Sequence, residues 1–154
     1  MTLTLIRAVL KARANGLLRL TPATEPTRLD CLAAACARCC KSLGAPRVTD
    51  SEAKHIDEAA LVRTRVANFV RSRGTVCCLL EDGLCSIYSQ RPRGCIEYPW
   101  YNIGGRLYYD SGCPGIRHDQ DERPAVGDIG PFEEFFGGAP RLLVRLIRAW
   151  CTRG

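Results

Sequence analysis

The chain has 154 residues, 46% of them hydrophobic and 25% charged, enough for one core, and no apolar run approaches the roughly 20 residues that a bilayer-spanning helix needs. Its ten cysteines are more than packing explains, because free thiols oxidise and are retained for their chemistry. The formal charge of +6 counts every thiol as neutral; eight thiolates on two divalent ions would leave about +2, which removes most of the charge argument for a nucleic-acid binder.

In MTLTLIRAVLKARANGLLRL, Leu3, Ile6, Val9 and Leu10 recur at helical spacing, with Arg7, Lys11 and Arg13 off that stripe. The pattern predicts an amphipathic helix packed on the domain. Its charges interrupt the apolar positions instead of preceding them, unlike a secretory leader, so a cytoplasmic protein is expected. In a reducing cytosol, clustered cysteines point to metal or redox chemistry more than to disulfides. Pro22 and Pro26 mark a linker. The expected organisation is an N-terminal helix and linker over 1–29, a cysteine-bearing domain over 30–118, and a helical extension over 119–154 packed on the same domain.

Cys31, Cys36, Cys39 and Cys40 follow, spaced C-x4-C-x2-C-C with small alanines between them. Adjacent Cys39 and Cys40 cannot readily face one ion from a strand, where neighbouring side chains point opposite ways. From a turn or a helix end they could serve two centres or flank one. Thr49 and Glu52 then form a capping box, and Ile56, Ala59, Val62, Val66, Phe69 and Val70 form an apolar stripe, predicting one helix that stops at Gly74. His55, one position off the stripe, reads as a surface residue. Thr75 to Leu80 reads as a strand closed by Asp82 and Gly83, which places Cys77 and Cys85 on opposite arms of a hairpin. Ile87 and Tyr88 continue the second arm, Gln90 to Gly94 breaks it, and Cys95 lies beyond.

Trp100 to Ile103 and Arg106 to Tyr109 flank Gly104 and Gly105 as a hairpin, with Cys113 shortly after. His118 to Glu122 is a contiguous charged run and reads as a solvated loop. Pro131 opens a short helix with Glu133 and Glu134 in its first turn, anchored by Phe132, Phe135 and Phe136. A last helix begins near Pro140, with Leu142, Leu143, Leu146, Ile147 and Trp150 as its apolar face and Arg141, Arg145 and Arg148 on another. Packing plus solvation accounts for it better than nucleic-acid contact, since no base-stacking aromatics are interleaved.

Taken together, the C-x4-C-x2-C-C knot, C-x2-L at Cys77 to Leu80, C-x-I-Y at Cys85 to Tyr88, R-P-x2-C at Arg91 to Cys95 followed by Tyr98-Pro99-Trp100, and C-P-G at Cys113 to Gly115 resemble the YkgJ-type cysteine-cluster proteins. The resemblance implies a zinc- or iron-chelating domain whose ligands are Cys31, Cys36, Cys39, Cys40, Cys77, Cys85, Cys95 and Cys113. Cys78 stands where that pattern commonly has proline and is set aside as a bystander or substitute ligand; Cys151 lies outside the pattern. Eight thiolates suit two four-sulfur sites, which fit zinc, iron or an iron–sulfur cluster. Tyr88, Tyr98, Trp100 and Tyr101 would wall off solvent, and Arg91 would offset thiolate charge, so Arg91, Tyr88 and Trp100 are the expected cofactor-binding residues.

The expected fold is a small single α+β domain, helices around an irregular metal–cysteine core with short hairpins. The expected function is metal binding with a structural, sensing or docking role, the last implying a protein partner. The alternative is an enzyme or enzyme component built on a redox-active or open metal centre. Flagellin lysine methylases are similar in their cysteine region, but neither a nucleotide-binding glycine loop nor a nucleophile–base pair is visible here.

Overall fold

The computed structural model describes residues 2–44, 46–65, 67–136 and 139–153. Helix α1 (Thr2–Ala14) buries Val9 and Ala12, with Leu5 packed alongside, while Leu3 and Leu10 of the expected stripe are exposed. Two overlapping stripes compete on this helix. The one containing Ala12 brings its backbone closest to the core, and it is the one buried.

Gly16, with φ of 82°, turns the chain so that Leu17, Leu18 and Leu20 are buried in turn. The stretch that Pro22 and Pro26 mark as a linker begins instead as strand β1 (Leu20–Pro22). Pro22 is tolerated because β1 is an edge strand. Strand β2 (Arg28–Leu29) lies just before Cys31.

The expected long helix after Thr49 does not form. Beyond α2 (Arg38–Ser42) and β3 (Arg47–Val48), the capping box is present, with Thr49 Oγ1 accepting from the Glu52 amide and Glu52 accepting from the Thr49 amide. It opens only one turn, α3 (Asp50–Ala53). Asp57 accepts from the Ala59 amide and starts a separate 3₁₀ turn, Glu58–Ala60. The chain then becomes β4 (Leu61–Arg63) and β5 (Asn68–Val70), which pair with each other while β5 also pairs with β3.

Competition from Asp57 for the backbone and β-branched Val62, Thr64 and Val70 explain the outcome. Leu61 and Val70, partners across the ladder, face inward, whereas Val62 and Ala59 are exposed. Val66 of the expected stripe lies outside the described residues.

Two hairpins follow where one was expected: β6 (Ser72–Arg73) with β7 (Val76–Cys77), and β8 (Leu80–Glu81) with β9 (Leu84–Cys85). Gly74, expected as a helix stop, turns the first, and Asp82 and Gly83 turn the second, all at positive φ. Cys77 therefore faces Ser72, and Cys85 faces Leu80. The two thiols close successive hairpins instead of opposing each other on one.

Cys95 sits on α4 (Arg93–Glu97), a single turn after Pro92. Strands β10 (Trp100–Ile103) and β11 (Arg106–Asp110) form the expected hairpin around Gly104 and Gly105, in register Ile103↔Arg106, and β1 completes that sheet in the order β1-β11-β10. Strand β12 (Ile116–Arg117) pairs with β2, tying the approach to Cys31 to the exit from Cys113.

Asp119 in the expected solvated loop is held by Arg28 at 2.7 Å. The segment Phe132–Phe136 is a 3₁₀ helix in which Phe132 is fully buried; the Phe135 side chain is outside the described ones. Helix α5 (Arg141–Cys151) begins after Pro140 as expected, but buries Val144, Ile147 and Cys151 and leaves Leu142, Leu146 and Trp150 exposed. Cys151 acts here as a small apolar residue, which shifts the inward stripe.

The fold is α+β, with its buried side chains in two clusters. The first gathers α1, α5, Tyr98, Tyr101, Phe132 and Cys113; the second gathers Val48, Ile56, Leu61, Val70, Cys77 and Leu79. Among the described residues no helix is long and apolar enough to cross a membrane.

Candidate metal centre

The first knot is shaped by Asp30, whose carboxylate accepts from the Ala33 amide at 2.9 Å and whose carbonyl accepts from the Ala34 amide. This turn carries Cys31 to Cys36, and the Arg38 amide points at the Cys36 sulfur, 3.4 Å away. Cys39 and Cys40 lie on α2, where consecutive side chains diverge by about 100° instead of 180°, and their sulfurs are 3.9 Å apart. They divide between the clusters. Cys39 packs with Cys113 against the first, and Cys40 with Cys77, Cys78 and Cys85 in the second.

Three more thiols are met by a backbone amide two residues ahead, Leu79 for Cys77, Ile87 for Cys85 and Gly115 for Cys113, each lowering a pKa that burial raises. Such amides favour the thiolate. Burial pushes Cys95 up to about 12, reinforced by Cys40, Cys77 and Cys85 and relieved by Arg91. Burial likewise raises Cys113 to about 11, with Cys31 and Cys36 adding to the effect. Within the adjacent pair, the hydrogen bond drives Cys39 well above the thiol range and draws Cys40 down to about 7. Each thiol thus feels particular others. Cys40, Cys77, Cys85 and Cys95, with Cys78 beside Cys77, form one neighbourhood; Cys31, Cys36 and Cys113 form another, and Cys39 stands between them, feeling Cys31 and Cys95.

Arg91 reaches both neighbourhoods. Its guanidinium stacks 3.9 Å from the Tyr88 ring centroid and favours the thiolates of Cys31, Cys40, Cys85 and Cys95. Its Nε is buried with no hydrogen-bond partner. A buried unpaired N–H is costly, and the thiolates that this guanidinium favours would offset part of that cost. The donor set therefore fits a soft metal ion. Trp100 is buried in the sheet with Nε1 donating to Thr27 Oγ1, 3.1 Å away. Tyr98 donates to Asp110 at 3.2 Å and also lowers Cys113.

Cys78 points its sulfur toward the Ala60 carbonyl, 3.8 Å away, and Cys151 is fully buried on α5. None of the ten cysteines forms a disulfide. Among the described residues no three His, Cys, Asp or Glu side chains stand ready-made around a point that would hold an ion. The thiols are neighbours rather than a finished cage.

Two further side chains support the thiol-bearing turns. Asp110, fully buried, accepts from the amides of Leu18, Arg19 and Gly112 and from Tyr98, fixing the turn that leads to Cys113. Glu52 accepts from the Arg93 amide at 2.6 Å and holds the start of the turn carrying Cys95. The Asp-Ser-Gly sequence at 110–112 is a turn signal that marks the first; nothing local marks the second.

A small α+β fold with this many grouped thiols has the donor chemistry of a metal chelator. The model of the CxxCxxCC family, “Putative zinc- or iron-chelating domain”, matches residues 30–114, more than half of the chain, and the protein belongs to that family. No curated protein and no solved structure matches the chain.

Proposed function

We propose that the protein holds zinc or iron through eight thiolates in two four-sulfur sets, Cys40, Cys77, Cys85 and Cys95 in one and Cys31, Cys36, Cys39 and Cys113 in the other. The role is that of a metal-knit scaffold for sensing or docking in the cytoplasm. The observation that carries this reading is the division of adjacent Cys39 and Cys40 between two packed clusters, each containing further thiols. Bound ions supply the positive charge that keeps buried thiols ionised, and structural four-cysteine sites contribute on the order of 10 kcal/mol to folding. Arg91 would offset the surplus negative charge of both sets, with Tyr88 fixing its plane and Trp100 closing the sheet side to solvent.

The test is metal analysis with a visible spectrum after anaerobic purification, on the native chain and on C95S and C113S. Two zinc-sized ions or two iron centres per chain, with each variant losing about half, is the expected result. A native protein with less than about a tenth of an equivalent of metal after anaerobic handling would sink it.

A further inference from the structure

We infer that the outer face of α5 rests on an anionic lipid surface. Leu142, Leu146 and Trp150 recur every four residues along this helix and are 70%, 60% and 40% exposed, although its opposite side already fills the core. Exposed Arg141 and Arg145 flank them, and the helix contains no Asp or Glu. The nearby carboxylate of Glu133 is occupied by Arg148 at 3.0 Å. Arg13 of α1 lies over the Trp150 ring, 5.0 Å from its centroid, giving that aromatic an apolar body beside a cation.

Charge and apolar exposure choose the occupant together. A lipid headgroup layer offers phosphates to the arginines, and the acyl boundary just beneath receives the leucines and the indole, with no lateral register required. A nucleic-acid backbone would satisfy the arginines but leave the leucines in water. A second copy would bring another Arg141 and Arg145 and no Asp or Glu from this helix to pair with them. The inference does not depend on which metal the thiols hold.

Flotation of the metal-loaded full chain with vesicles tests it, comparing phosphatidylcholine alone with phosphatidylcholine containing phosphatidylglycerol. Binding is expected only to the anionic vesicles, weakening as salt rises. It should be accompanied by a blue shift in emission from Trp150, because Trp100 is already 5% exposed. Leu142→Ser with Leu146→Ser removes two exposed leucines and should weaken partition about tenfold or more with the thermal unfolding curve unchanged. Arg141→Gln with Arg145→Gln should weaken it and flatten the salt dependence.

Any of the following results overturns the inference: no flotation at low salt, flotation unaffected by both double variants, or equal binding to phosphatidylcholine alone. So does tighter binding to an acidic peptide or duplex DNA, or a dimer abolished by the leucine variant.

Discussion

Arg91 reaches both thiol neighbourhoods, with a buried Nε that has no partner and a charge that favours four surrounding thiolates. R91M should therefore weaken metal retention by about 10- to 100-fold in a chelator competition, with R91K recovering part of the loss through charge but not through the flat stack on Tyr88. Retention equal to the native chain in R91M would remove the residue from the centre. The thiols also set a pH dependence for the metal-free chain. Burial raises Cys95 to about 12 and Cys113 to about 11 from 9.0, so their stabilising effect is complete below pH 9 and fades as pH rises toward those values. Residual far-ultraviolet ellipticity of the chelated protein should thus fall from pH 8 to pH 10.5, and C95S should flatten the slope.

The elements show where local pattern and tertiary context part company. The glycine pair of β10 and β11 is a hairpin signal that needs no outside help, and both glycines adopt the positive φ such a turn requires. The stretch from Thr49 to Gly74 carries a true cap followed by helical spacing that arises by coincidence, since Ile56 is buried in the bend after α3 and Val70 on β5. Asp57 and the β-branched Val62, Thr64 and Val70 favour the broken reading locally, and the pairing of β5 with β4 and β3 completes it. A close approach between elements is equally invisible in sequence: a Cβ on Gly112 would lie 1.7 Å from the Gly16 carbonyl oxygen. G112A must push the α1–β1 turn away from the Cys113 turn, costing roughly 3 kcal/mol or more in urea unfolding of the loaded protein. An unchanged midpoint would mean that these turns separate freely.

At the scale of the whole chain, the family resemblance picks out eight candidate thiols, but their grouping is not legible in the sequence, because Cys39 and Cys40 are neighbours in sequence and pack against different clusters in space. The same is true of the chain ends: α1 and α5 lie outside the cysteine pattern, yet both pack into the cluster that contains Cys113. Complete chelation should accordingly loosen the helices as well as the cysteine loops, seen as lost far-ultraviolet ellipticity and faster amide exchange in α5. Cooperative, unaltered melting after chelation would show that packing alone suffices.

One short helix carries the join between the two halves. Because the carriers of the two central sulfurs share a single peptide unit, neither half can shift without dragging the other's anchor. Damage on either side, whether by oxidant or by acid, should therefore be communicated across that bond and register as failure of the whole molecule.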